Sequence, residues 1–311
     1  MTRISSGYII NQALNSVQSS LGKMTQLQAQ ISSGKKIQAP SDDPIGMTQS
    51  LRLKEDVNFS DRFMSNSTEA LSEMQVAENS IGQVVDQTQR ARELAIQAAN
   101  GTLSQSQLNS IKVEVDAILK TVTQLGNTNY NGRYVFAGFK TDTPPFAESG
   151  TDINYTGSSN VTAAGYERRL QISQTDTIPV NLNGQDLLGS VTVTGAQTTT
   201  GSGLLQTLKQ LSLDLAAGDT TSISQRLGTL GTDLDSVVGY QTIIGARTNQ
   251  LDNLQQRLQE NRVTQSDFIS RIEDTDMADA ISKLTFQQNL YQASLSGMSK
   301  ILSTSLMDFL R

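Results

Sequence analysis

Both ends of the chain carry apolar residues at alternating steps of four and three. Toward the C-terminus these are Met277, Ile281, Leu284, Tyr291, Leu295, Met298, Leu302 and Phe309, with Gln288 and Ser305 completing the series. Toward the N-terminus they are Ile10, Leu14, Val17, Leu21, Met24 and Ile31, with Gln28 at the missing step. Four-three alternation is the seam of a coiled coil. Each end is therefore predicted to be a helix whose apolar stripe needs a partner. Two such helices at opposite ends of a 311-residue chain predict a fold that doubles back and lays its first helix beside its last. Gly22 and Gly297 fall inside these helices, and each costs about 1 kcal/mol relative to Ala.

Between the seams the signals change twice. Ser33-Gly34 stops the first helix, and a loop runs from Lys35 to Pro44. Asp43-Pro44 reads as a cap followed by proline at the first helical position. A helix is predicted from Pro44 to about Asn100, with Leu71, Met74, Ile81 and Val85 on its stripe. Another is predicted from about Ser104 to Leu125 on Leu108, Ile111, Val115, Ile118, Val122 and Leu125. At Gly126 the helical period ends. Asn131-Gly132 is a hairpin turn signal, and short strands are expected at Ile153–Tyr155, Arg169–Ile172, Ile178–Leu182 and Ser190–Thr194. Helices resume over Leu204–Ala217 and about Thr232–Phe268, the latter on Leu234, Val237, Ile244, Leu251 and Leu258. The acids Glu273, Asp274, Asp276 and Asp279 read as the start of the last helix, where they complement its dipole.

The fold class that follows is mainly α with a β insertion. An elongated helical bundle or coiled coil is formed by the N- and C-terminal parts, with a small outer β domain. Three parts are expected: residues 1–43 with 270–311 as a terminal coiled coil, 44–140 with 201–269 as a helical rod with a β hairpin, and 141–200 as the β domain. The middle stripes read as a bundle core within one molecule. The terminal seams read as an assembly interface, because chain ends fray unless something ties them down. Both ends are expected to be mobile in the monomer and ordered in an assembly. An amphipathic membrane helix fits poorly, since the polar faces carry Gln, Ser and Asn in place of Lys and Arg.

Composition removes most chemistry. The chain has no His and no Cys, which excludes Ser-His-Asp and Cys-His nucleophile systems, His/Cys zinc sites and disulfides. A net charge of −6 and a pI near 4.8, with no basic stripe, speak against nucleic acid. No apolar run of about 18 residues is present to insert in a bilayer, and the first twenty residues lack the apolar core of a cleavable signal. Asp42-Asp43 could pair as catalytic carboxylates, but the cap before Pro44 accounts for Asp43. The acids from Glu273 to Asp279 lack the spacing of a calcium loop. Gly201-Ser202-Gly203 has Gln206 where a dinucleotide loop needs its third glycine, and Gly34-Lys35 is followed by Lys36, unlike a phosphate loop. Tyr134 and Phe136 read as hairpin packing. No catalytic residue, metal site or cofactor is expected.

Three stretches then carry a resemblance. ISSGKKIQAPSDDP, residues 31–44, resembles the loop after the first helix in the bacterial flagellin superfamily. NGRYVFAGFKTDTPPF, residues 131–146, and LTFQQNLYQASLSGMSKILSTSLMDFLR, residues 284–311, resemble the hook–filament junction family within it. INYTG and PVNLNG in the insertion fit the same pattern. The resemblance implies an inner coiled coil of the two terminal helices, then a helical rod, then an outer β domain. It also implies an adaptor without catalysis that forms a ring between hook-associated protein 1 and the first flagellin layer. Export would proceed through the flagellar type III apparatus to the flagellum, with an export chaperone on the C-terminal helix. Other readings are a flagellin filament subunit, a secreted helical adhesin, and a hydrolase using Asp152, Glu167, Asp176 or Asp186 of the insertion.

Overall fold

A computed structural model describes residues 6–158, 168–195 and 198–309, with side chains described for residues 8, 11–158, 168–193 and 199–300. Glu167 lies outside the described residues. Among the rest, helices dominate and strands are confined to the middle of the chain, as the period of the sequence predicts. The chain divides into two compact units, Met1–Phe59 with Asn261–Arg311 and Ser60–Glu260. Both dividing points fall inside long helices.

The first unit holds α1 (Ser6–Ser33), the beginning of α2 (Pro44–Ala99), the end of α6 (Thr220–Glu273) and α7 (Met277–Phe309). α1 packs on α7. Gly34 ends α1 with φ +72°, a left-handed stop. α2 starts where the sequence places it: Asp43 Oδ1 accepts the backbone N–H groups of Ile45 at 3.1 Å and Gly46 at 3.0 Å.

The second unit is built on α3 (Gln105–Gly126) packed against α5 (Gly203–Ala217). Leu108, Ile111, Val115, Ile118 and Val122 of α3 are buried, as are Leu204, Leu205, Leu208, Leu211 and Leu215 of α5. Ser104 caps α3 reciprocally: its hydroxyl accepts from Gln107 N–H, and its own N–H donates to Gln107 Oε1 at 2.8 Å. Ser104→Ala is expected to cost about 1 kcal/mol, read as a lower urea midpoint for this unit. β1 (Asn129–Tyr130) and β2 (Arg133–Tyr134) form the expected hairpin, with φ of 50° at Asn131 and 79° at Gly132 in the two-residue turn.

The insertion contains a four-stranded antiparallel sheet in the order β3-β4-β7-β8, made of Phe146–Ser149, Asp152–Tyr155, Ser190–Gly195 and Thr198–Ser202. A separate hairpin joins β5 (Arg169–Gln171) to β6 (Thr177–Pro179). The short helix α4 (Gly184–Leu188) precedes β7. Phe136 is 1% exposed, so its role is packing, in agreement with the sequence reading.

Three expectations need correction. α6 begins at Thr220, about three turns before the expected start near Thr232; Gly228 and Gly231 interrupt the pattern there, but a Cβ at either would meet nothing within 4 Å. Burial of Ile223 and Leu230 offsets the cost of these glycines. Second, β3, β8 and α4 are absent from the sequence reading, since FAES and TTTGS carry no apolar alternation and a five-residue helix is too short to show a period. Third, Glu273 is the last residue of α6 and does not belong to the start of α7. Asp276 does cap α7, accepting from Ala278 N–H at 2.9 Å and Asp279 N–H at 3.2 Å.

Candidate assembly face

α1 and α7 run antiparallel. The Lys35–Asp274 bridge joins the end of one to the approach of the other, and Ser20 Oγ donates to Gln287 Oε1 at 3.1 Å further along. The less exposed positions of α1 are Ala13, Val17, Ser20, Met24, Leu27 and Ile31, together with Gln30, whose amide donates to Lys36 O in the loop, and those of α7 are Ala280, Leu284, Gln287, Tyr291, Ser294 and Met298. Both series step by fours and threes, so this is the seam between the two helices.

Half of the sequence-predicted seam takes part. Val17, Met24, Ile31, Leu284, Tyr291 and Met298 are half-buried along it. Leu14, Leu21, Met277, Ile281 and Leu295 are exposed, by 42%, 46%, 42%, 50% and 43%. The side chains of Ile10, Leu302 and Phe309 lie outside the described residues. The exposed residues have a common geometry. Leu14 and Leu21 each follow a seam residue, Ala13 and Ser20; Ile281 and Leu295 each follow Ala280 and Ser294. One residue is a 100° rotation about a helix. In an antiparallel pair, equal rotation from both seams brings the two rows to the same side. The small seam residues Ala13, Ser20, Ala280 and Ser294 pack inward, and a strip of large apolar side chains is left along one flank.

The lower end of this pair is pinned by Glu273, which the sequence reading missed as a packed residue. It is 2% exposed. Its Oε2 accepts from Lys35 Nζ at 2.7 Å, and its Oε1 accepts from Lys54 Nζ and Ser50 Oγ. Its backbone carbonyl accepts Lys36 N–H at 2.7 Å, and Thr275 N–H donates to Gly34 O at 2.8 Å. One carboxylate thus joins the loop after α1, the first turns of α2 and the α6–α7 joint. Burial pushes the Glu273 carboxyl up, but hydrogen bonds from Lys35, Lys54 and Ser50 and the Lys54 charge outweigh it and hold it at about 2. The same contact raises the Lys35 ammonium.

The rest of the loop is tied internally. Asp42 Oδ2 accepts Gln38 N–H and Ala39 N–H, both at 3.0 Å, and these bonds lower its carboxyl. Ile37 is buried, and a Cβ at Gly46 would come within 2.9 Å of its Cδ1. Asp42, through Oδ2, and Asp43, through Oδ1, each accept two backbone N–H groups, so both carboxylates have a structural role in the loop and the start of α2. Among the described residues no group of three or more acids could hold a metal ion, and no helix is long and apolar enough to cross a membrane.

Residues 4–141 match the bacterial flagellin N-terminal helical region, and residues 225–310 match the bacterial flagellin C-terminal helical region. The chain is 25% identical to flagellar hook-associated protein 3 of Escherichia coli K12 and 26% identical to that of Salmonella typhimurium, in each case over 98% of both chains. The crystal structure of Bacillus cereus FlgL superposes with a TM-score of 0.58 at 25% identity, covering 70% of this chain and 99% of that one. The mainly helical architecture, the packed terminal helices and the small β region are those of a structural protein of the bacterial flagellum. With both helical regions in place at its two ends, the chain belongs to the bacterial flagellin family.

Proposed function

We propose that this chain is an adaptor subunit of the hook–filament junction, joining the hook, through hook-associated protein 1, to the first layer of flagellin. The reading is supported most directly by the exposed strip of Leu14, Leu21, Ile281 and Leu295 on a helix pair that buries only part of its apolar stripe. Exposed apolar surface in an ordered arrangement is an interaction face. Here it lies on the two terminal helices, and the full-length likeness to hook-associated protein 3 supports a flagellar assembly as the partner. In this reading copies form a ring and the chain acts without catalysis. It leaves the cell through the flagellar type III apparatus, with an export chaperone covering the C-terminal helix beforehand. The ends order fully on assembly. Residues 1–43 with 270–311 form the inner part, 44–140 with 201–269 the rod, and 141–200 the outer domain. The contact residues are the fourteen seam residues from Ile10 to Phe309, including Met277.

Deletion of the gene is expected to leave hooks without filaments and to release flagellin into the medium, seen by electron microscopy of cells. Normal filaments after deletion would refute the junction role, and long filaments grown from the purified chain alone would make it a filament subunit. Leu21→Asp with Ile281→Asp tests the face itself. Both side chains are already about half exposed, so thermal stability is expected to change by about 0.5–1 kcal/mol at most, while filament-bearing cells fall at least about tenfold.

A further inference from the structure

The side of α1 opposite its seam forms a groove with the loop that follows, about 620 Å³ in volume. Gly22, Thr25 and Ala29 line it from the helix and Ala39 from the loop, with Leu21 and the carboxylate of Asp42 also on its lining. Gly22, Thr25 and Ala29 are small and run between the longer Gln18, Leu21, Gln26 and Gln30, and a Cβ at Gly22 would meet nothing within 4 Å. Glycine costs helix stability here and no contact within the unit requires it. The row of small residues leaves room there for an apolar side chain from outside.

α7 carries the reverse shape. Phe286 and Leu290, one turn apart, are 62% and 41% exposed. Counting 100° per residue from the α7 seam, they lie on the flank away from Ile281 and Leu295. Lys283 precedes Phe286 by three residues on the same side. Its pairing with Asp279, 63% and 55% exposed, is a surface ion pair that is cheaply exchanged. The groove offers Asp42 as an exchange partner: both its backbone bonds go to Oδ2, and Oδ1 accepts no hydrogen bond among the described residues.

We propose that the groove behind α1 receives Phe286 and Leu290 of a second copy of this chain, with that copy's Lys283 set against Asp42. Shape and charge both match, and the two halves sit on different faces of one molecule. Such a contact is heterologous: every copy keeps a free groove at one end and a free pair of side chains at the other, so contacts repeat into a ring or a helical row. The inference rests on the reading of this chain as a self-assembling adaptor, and it supplies the contact between neighbours.

The chain has no cysteine, so introduced thiols report cleanly. Ala29→Cys and Leu290→Cys chains, co-expressed as separate full-length copies in motile cells, are expected to give disulfide-linked dimers in isolated flagella. The yield should be at least ten times that from either variant alone. No dimer from the mixture, with both variants present in the flagella, would overturn the contact, as would equal yield from Ala29→Cys alone. A photoreactive side chain at Gly22 identifies the occupant: an adduct with another copy of this chain supports the proposal, and an adduct with a different flagellar subunit overturns it. Failure of the crosslink while deletion still abolishes filaments defeats this contact only. Crosslinks in cells whose filaments survive deletion defeat the junction role only.

Discussion

Glu273→Gln is expected to destabilise the terminal unit by about 2–3 kcal/mol at neutral pH and to flatten its response to acid. The folded carboxyl sits at about 2 against an ordinary 4.5. At 1.36 kcal/mol per pH unit that displacement corresponds to about 3 kcal/mol. Lys35 and Lys54 are 46% and 38% exposed at their side chains, so water screens the pairs and the lower end of the range applies. The sign follows from the depression. Stability from this group is complete above about pH 4.5 and is lost progressively as pH falls toward 2, where the carboxylate takes up its proton and releases both ammonium groups. Glutamine cannot titrate, so the variant and the parent should converge near pH 2 and diverge most above pH 5. The glutamine also leaves Lys35 and Lys54 without a counter-charge, which adds to the loss at neutral pH. Amide hydrogen exchange across residues 35–54 and 270–275 is the proper measurement, because a chain with two compact units need not unfold in one step. Protection at pH 7 unchanged by the substitution would show that Glu273 is not the pin.

Gly189→Ala is expected to be the most damaging single change in the second unit, at about 4 kcal/mol or more. Gly189 links α4 to β7 with φ 78° and ψ −156°, a backbone region essentially closed to residues with a side chain. Space is missing as well: a Cβ there would lie 1.7 Å from the carbonyl oxygen of Ser202 and 2.9 Å from Cα of Gly203. Those atoms are backbone at the β8–α5 junction, so relief requires moving a strand end and a helix start together. Loss of the sheet's exchange protection in β7 and β8, with a large drop in urea midpoint by circular dichroism, is the expected reading. Gly231→Ala is the control. It lies in α6 with nothing within 4 Å of its Cβ, and it should raise stability by about 0.5–1 kcal/mol. A mild effect at Gly189 would mean that the β8–α5 junction gives way easily.

Much of the molecule was legible without coordinates because its signals are local. The Asp43 cap, the Asn131-Gly132 turn and the start and stripe of α3 each depend on residues within a few positions, and each appears where the pattern puts it. β3 and β8 were missed because their strand character comes from partners in the sheet, β4 and β7, and not from their own sequences. α6 outran its expected start because buried Ile223 and Leu230 outweigh two glycines that a local reading counts as breaks.

The sequence by itself determined that both chain ends are helices with apolar stripes, since a four-three repeat has no other regular solution, and that His or Cys chemistry is absent. Only the tertiary structure decided which edge of each stripe closes the α1–α7 pair. A stripe this wide allows two neighbouring seams one residue apart, and choosing between them requires both helices at once. Small residues Ala13, Ser20, Ala280 and Ser294 let the inner seam close, which leaves Leu14, Leu21, Ile281 and Leu295 outside. The same holds for Glu273. An acid near a helix boundary looks solvated in one dimension, and it is packed here because Lys35, Ser50 and Lys54, more than two hundred residues earlier in the chain, converge on its carboxylate.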